Sequence, residues 1–287
     1  MSSFLDRFIP WQFRSRHNFV KAHANFFLRD VLRTKPVECD PNAGTEVHVL
    51  VCRQDVNMCL LAIKSLLKYV NNLSVIVHDD GSLGEDGRKR IADHIRGVKL
   101  ISRAKADLEL REVLPDDMWQ ARQKHIFLMK LFDFNYFNNA GKTVLLDSDI
   151  VFVAEPDEIV KWCRSDGDRS FYNSDPKVDT FRAKHYESRT PLPRNFNAGF
   201  MGYIGRIELS EILSSIQEIN YFLEDQTVYA YLMKSRNAHP LDPRRYHIYE
   251  GGHLPPDAKM VHFISPNRFI SMTYVRVAKE VCAMLRV

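Results

Sequence analysis

The sequence predicts an α/β fold: a Rossmann-like, mostly parallel sheet flanked by helices, in a single large domain. Three observations predict it. Short apolar, β-branched runs alternate with segments of helical period along much of the chain. Two acidic clusters, Asp79-Asp80 and Asp147-Ser148-Asp149, directly follow such runs, where sheets of this kind bind ligands. The length of 287 residues suits one large α/β domain with an ample core.

The elements follow in order. Residues 1–44 form an N-terminal helical, basic-aromatic segment and a linker; residues 45–287 form the α/β domain. The first segment carries Phe4, Phe8, Trp11, Phe13, Phe19, Phe26 and Phe27. Its basic residues Arg7, Arg14, Arg16, Lys21, Arg29, Arg33 and Lys35 face only Asp6 and Asp30. Two readings stay open: a helix packing its aromatics on the domain, or a peripheral contact with a membrane or partner. Lys35 to Gly44 holds two prolines and a glycine and reads as a linker.

Val47–Val51 is a buried strand. Asn57–Tyr69 is an amphipathic helix with Leu60, Ile63, Leu66 and Leu67 on one face. Leu73–Val77 is a second strand, ended by His78-Asp79-Asp80-Gly81-Ser82. Gly87–Ile95 is a helix, Lys99–Ser102 a weak strand, and Ile126–Phe137 a helix with Leu128, Leu131 and Phe132 inward. Thr143–Leu146 is a strand that runs into Asp147-Ser148-Asp149 and then the strand-like Ile150–Val153. Past Ile159–Trp162 the chain turns irregular and richer in Pro, Arg and Tyr. Its end, Val275–Val287, is an amphipathic tail that docks on the domain or touches a membrane.

Composition narrows the function classes. A net charge of +4 is too mild for a nucleic-acid binder. The five cysteines, Cys39, Cys52, Cys59, Cys163 and Cys282, are odd in number and lack zinc-site spacing. Cys52 and Cys59 read as core, and a reduced cytoplasmic compartment is the expectation. No apolar run is long enough to cross a bilayer, and Met1–Trp11 does not read as a signal peptide. The expected location is cytoplasmic, with the option of peripheral contact at the inner face of a membrane.

Asp147-Ser148-Asp149 carries the chemistry. Carboxylates at i and i+2 project to one side of an extended backbone and can share a hard cation, Mn²⁺ or Mg²⁺ rather than zinc. The competing reading is a polar strand end closing a turn. Asp166-Gly167-Asp168 has the same spacing but lies in a polar turn.

Further segments tie the pair to a family. Val144–Val153 (VLLDSDIVFV) resembles the metal-binding segment of the GT-A glycosyltransferases, most closely the retaining group of glycogenin and the bacterial lipopolysaccharide galactosyltransferases. Asn197-Ala198-Gly199 resembles that group's strand along the donor sugar, and Glu224-Asp225-Gln226 its segment beside the anomeric carbon. His262–Arg268 resembles its C-terminal His-aromatic-x-Gly-x-x-Lys segment. Here Ser265 replaces the glycine, and Arg268 replaces the lysine and keeps the phosphate-binding charge. Asp79-Asp80-Gly81-Ser82 resembles a nucleoside-contacting segment more typical of inverting members.

The resemblance implies a GT-A catalytic domain, hexosyltransferase-like, that moves a sugar with retention from a nucleotide sugar, by family habit a UDP-sugar. The acceptor, a glycan, lipid-linked or protein hydroxyl, is not readable. It implies Asp147, Asp149 and His262 as ligands of Mn²⁺ or Mg²⁺. Donor contacts fall to Asp79, Asp80, Lys130, Asp147, Asn197, Ala198, Gly199 and Arg268, and catalytic roles to Asp225 and Gln226. Asp175–Arg194 is expected to form an acceptor lid. Three alternatives stand: an inverting enzyme with Glu224 or Asp225 as base, a sugar-nucleotide-forming nucleotidyltransferase, and a non-catalytic binding module. The glycine-free Cys52–Asn57 argues against the nucleotidyltransferase, which needs a glycine-rich phosphate loop there.

Overall fold

A computed structural model describes residues 11–165, 167, 169–175, 192–193, 195–219, 225–265 and 267–286. The strands are β1 (Val37–Glu38), β2 (Thr45–Val51), β3 (Ser74–Asp79), β4 (Ile95–Arg96), β5 (Lys99–Ile101), β6 (Lys142–Leu146), β7 (Ile150–Phe152), β8 (Ser170–Ser174), β9 (Phe196–Ile204), β10 (Ala238–Pro240), β11 (Tyr246–Ile248) and β12 (Met260–His262). Seven form the main sheet in the order β10-β8-β9-β6-β2-β3-β5. Its neighbours pair in parallel except where β9 runs antiparallel to β6 and β8. This is the mostly parallel, helix-flanked sheet that the strand–helix alternation predicts. Two smaller sheets accompany it, β11-β12-β7 and β1-β4.

The central strands are apolar because both faces are covered. β2 is buried at six of its seven positions and β3 at all six. The helix Val56–Leu67 departs from the one-faced expectation: all twelve of its residues are buried. A helix apolar all round is one enclosed all round. On one side lies β7, where Phe152 N donates to Ser65 Oγ at 3.1 Å. On another side lie the N-terminal helices. Lys64 is enclosed with it, and burial pushes its amine down to about 8.

The N-terminal segment is helical over Trp11–Ala22 and Ala24–Phe27, then a 3₁₀ turn over Arg29–Arg33. Its Val20, Ala24, Leu28 and Val31 join the same core as β2, β3 and the helix Val56–Leu67. The stretch expected as a linker, Lys35 to Gly44, is instead strapped down: β1 pairs with β4, and Cys39 N donates to Arg96 O at 3.0 Å. Two-residue strands carry no periodicity, so the prolines and glycine dominated the reading. The tail takes the docking alternative: the helix Thr273–Met284 buries Tyr274, Val277, Ala278, Val281 and Cys282 in that core. All five cysteines are free; Cys59 is buried and Cys52 only half-buried.

Two polar clusters are built into the sheet and the helices against it. Arg122, fully buried, donates through Nε and Nη2 to Asp133 and through Nη1 to Asp107, at 2.6–2.7 Å. Removing one partner would strand a buried charge. On the sheet, His48 Nδ1 and His78 Nε2 are 3.0 Å apart under the ring of Phe134. Burial pushes both imidazoles below their ordinary 6.5. The unfolded chain therefore binds more protons near that pH, so these rings contribute stability above about 6.5 that is lost as the pH falls. In a histidine NMR titration neither ring should show its step at 6.5; a step there for either would contradict this burial.

Candidate functional site

Strand pairing assembles the site. β6 runs beside β9 with Leu146 opposite Phe200, so Asp147 N meets Gly199 O at 2.8 Å. The chain then turns: Ile150 N donates to Asp147 O at 3.3 Å. β7 pairs antiparallel with β12, Ile150 opposite His262, and Phe263 N donates to Asp149 O at 3.0 Å. One ligand atom from each of Asp147, Asp149 and His262 therefore falls within 4.8 Å of the others. His262 Nε2 lies 3.2 Å from Asp149 Oδ1 and 3.8 Å from Asp147 Oδ2. The carboxylates converge across a turn, not from the extended backbone that the i, i+2 spacing suggested; pairing with β9 and β12 aims them.

Two cations meet these acids. Lys130 Nζ, from the helix Ile126–Tyr136, is 2.6 Å from Asp147 Oδ1 and 3.5 Å from Asp225 Oδ2. Arg268 donates through Nη2 to Asp149 Oδ2 and through Nε to Phe263 O at 2.9 Å. Burial opposes the charge on Asp149, but Arg268 and His262 outweigh it and hold the carboxyl well below the usual range. Burial likewise opposes charge on Lys130, yet Asp147, Asp225 and Asp149 raise its amine above the ordinary lysine value. Asp55 stands behind Arg268, its carboxyl pushed up by burial. It accepts from Cys52 Sγ at 3.3 Å, and burial beside it pushes that thiol up to about 12.

The donor set suits a hard divalent cation. Asp147, Asp149 and Asp225 exceed Lys130 and Arg268 in charge, before Asp55 is counted. His262 Nδ1 is buried with no hydrogen-bond partner among the described residues. If Nδ1 holds the proton, Nε2 turns its lone pair on a carboxylate. If Nε2 holds it, Nδ1 is a buried acceptor with no donor. In the first arrangement a cation between Nε2 and the two carboxylates would meet that lone pair.

Gly199 makes room for this cluster. A Cβ there would overlap His262 Cε1 and stand 2.8 Å from Asp147 Oδ2 and 2.9 Å from Asn197 Oδ1. Asn197 Oδ1 accepts from Gly199 N at 2.9 Å. Ala198 N donates to Gln226 Oε1 at 3.3 Å, which ties the start of the helix Asp225–Lys234 to the same strand. Ten of the twelve singled-out residues thus surround one point: Lys130, Asp147, Asp149, Asn197, Ala198, Gly199, Asp225, Gln226, His262 and Arg268.

Asp79 and Asp80 are not in that cluster. Asp79 Oδ1 accepts from Gly81 N at 2.7 Å and Leu83 N at 3.1 Å, and its Oδ2 takes Arg88 Nε and Nη2. Asp80 Oδ1 accepts from Ser82 N and Oγ. Both close the turn after β3. Glu224, Asp166, Asp168 and nearly all of the expected lid lie outside the described residues. Sequence reading missed Asp55. Its one signal was position, four residues past β2 at the carboxyl edge of the sheet.

No protein-family model matches the chain, and no curated protein matches it in sequence. Solved structures do. The chain is similar to the galactosyltransferase LgtC, solved with donor and acceptor sugar analogues, at 16% identity and a TM-score of 0.57, over 84% of this chain and 96% of that one. It is similar to mouse xyloside xylosyltransferase 1 at 14% and 0.51, over 81% and 99%. The bifunctional glycosyltransferase WbbM gives 13% and 0.53, over 84% of this chain and 50% of its own. The chain has the GT-A glycosyltransferase fold.

Gly199→Ala should push the His262 ring away from Asp149 and cost about 1–3 kcal/mol through overpacking. Chemical denaturation measures the cost, and a crystal structure of the variant the displacement. A variant of parental stability with His262 unmoved would refute the close-approach role of this glycine.

Proposed function

We propose that the chain is a glycosyltransferase. It moves a sugar from a nucleotide-sugar donor, by resemblance a UDP-sugar, to a hydroxyl acceptor, with a divalent cation held by Asp147, Asp149 and His262. The observation that carries this reading is the convergence of three potential ligands, two cations and the Asn197–Gly199 strand at the carboxyl edge of the sheet. The fold shared with LgtC supports it.

A bound cation, Mn²⁺ or Mg²⁺, would offset the negative charge on the departing diphosphate. The side chains supply the rest. Arg268 offers a planar guanidinium to the diphosphate in place of the family's lysine. Lys130 anchors Asp147 and Asp225 and faces the donor between them. Backbone at Ala198-Gly199 lies along the sugar, where the absence of a side chain at Gly199 lets it approach. Asp225 and the Gln226 amide oxygen face the positive charge that develops on the sugar ring as its C1–O bond to phosphate breaks. The acceptor oxygen bonds to C1 from the same face, and its proton passes to the leaving phosphate oxygen.

Retention fits the site better than inversion. Asp225, one of the two bases considered for an inverting route, is held beside the Lys130 ammonium rather than presented alone to an acceptor. The nucleotidyltransferase reading fares worse. After β2 the chain forms a short 3₁₀ turn, Arg53–Asp55, that opens straight into the buried helix, with no phosphate-cradling loop.

Asp149→Asn should lower metal-dependent donor turnover by roughly 10²–10³-fold, while Arg268→Lys should keep part of it. Steady-state assays over a panel of nucleotide sugars with Mn²⁺ or Mg²⁺ measure both. Normal turnover by Asp149→Asn would remove this residue from the site. NMR of the product should show the donor's anomeric configuration preserved. An inverted product would transfer the argument to Asp225 or Glu224 as base.

A further inference from the structure

Eight large apolar side chains are exposed among the described residues, and four of them lie between Trp11 and Phe26. Trp11 is 82% exposed, Phe19 58% and Phe26 56%, with Phe13 at 37%. The helix Trp11–Ala22 buries His17 and Val20 on one side. Trp11, Ser15, Phe19 and Ala22 recur at helical spacing on the other. The ring of Phe19 lies 6.1 Å from Phe27, and that of Phe26 5.7 Å from Phe27, so these three form one ridge, which Trp11 extends along the helix face. The core contact of this segment is already made by Val20, Ala24, Leu28 and Val31. The outward rings add nothing to it.

The ridge is rimmed by positive charge. Arg16, Arg29 and Arg33 are exposed along the segment, and Asp30 is the one acidic residue of the sequence between Trp11 and Lys35. The Arg29 guanidinium covers Phe26 at 4.2 Å. Asp30 already serves Arg33 at 3.5 Å and Arg286 at 3.2 Å. Exposed aromatics flanked by cations are the chemistry of an interfacial helix on an anionic lipid surface: rings enter the headgroup boundary while the cations meet lipid phosphates.

The segment is fixed beside the cleft. Asn25 Nδ2 donates to Arg53 O at 2.9 Å, and Asn25 Oδ1 accepts from Asn57 N at 2.9 Å, on either side of Asp55. The ring of His17 lies 6.1 Å from that of Phe269, the neighbour of Arg268.

We infer that the aromatic ridge from Trp11 to Phe26 docks on an anionic lipid bilayer and brings the cleft to an acceptor anchored in that bilayer. The acceptor half rests on the glycosyl-transfer reading above; the docking half does not.

Flotation of the full chain with vesicles tests the docking, without donor or metal. The protein should float with vesicles of phosphatidylcholine and phosphatidylglycerol, stay behind with phosphatidylcholine alone, and be released by salt. Replacing Trp11, Phe19 and Phe26 together by serine should weaken partitioning by roughly ten-fold or more. Arg16→Glu with Arg33→Glu should weaken it at low salt. Calorimetric binding of UDP and Mn²⁺ to the serine variant should be unchanged, which separates loss of docking from loss of the site. No flotation of the parent, or equal flotation of the variants, would overturn the inference. So would a dimer in light scattering that the serine variant dissolves, since a second copy would then be what covers the ridge. If docking holds, transfer to a vesicle-anchored acceptor should fall in the serine variant while transfer to a soluble one does not; equal loss of both would overturn the acceptor half.

Discussion

Ile150 and His262 face each other across the antiparallel pair β7–β12, and the chemistry of the cleft depends on that register. Asp149 immediately precedes Ile150, so the pairing sets its carboxylate beside the imidazole at 3.2 Å although more than a hundred residues separate them. A slip of one residue would turn the histidine to the other face of the strand. The second fixed edge is β6–β9, which delivers Asp147 beside Gly199. Two antiparallel ladders, one inside the main sheet and one in the small sheet, thus meet at a turn of three residues.

Charge explains why such a turn is stable. Buried carboxylates this close repel one another unless cations stand between them. Lys130 and Arg268 take that place from opposite sides, one from a helix before β6 and one from the turn after β12. On the proposed reading, the groups that hold the acids together would also be those that meet the diphosphate of a nucleotide sugar. Asp55 extends the acidic wall behind Arg268, and burial raises its carboxyl.

Much of the fold could be read from the sequence because parallel strands covered on both faces leave unbroken β-branched runs, as in Val47–Val51 and Thr143–Leu146. The helix Val56–Leu67 was legible as a helix but not as an enclosed one, since its covering elements lie far along the chain. β1 and β4 were illegible: a two-residue strand has no period. The site was legible where short motifs sit on strand ends. Asp147, Asp149, Asn197, Gln226 and His262 stood out through resemblance, and the structure brings them to one place. Side-chain partners over long range were not legible. Nothing in His78-Asp79-Asp80 announced that Arg88 would take the Asp79 carboxylate, and nothing in the sequence around Arg122 announced that it would be buried against Asp107 and Asp133. The backbone at Asp147–Asp149 was another such case, because its turn is imposed by β9 and β12 rather than by its own residues.

Anomalous diffraction at the manganese edge, from crystals soaked in Mn²⁺ and UDP, tests the central claim most directly. A single strong peak within about 2–2.5 Å of an Asp149 oxygen and of His262 Nε2 is expected, with the UDP phosphates on its far side. A manganese peak bound elsewhere, or UDP bound with no peak between Asp149 and His262, would contradict the account.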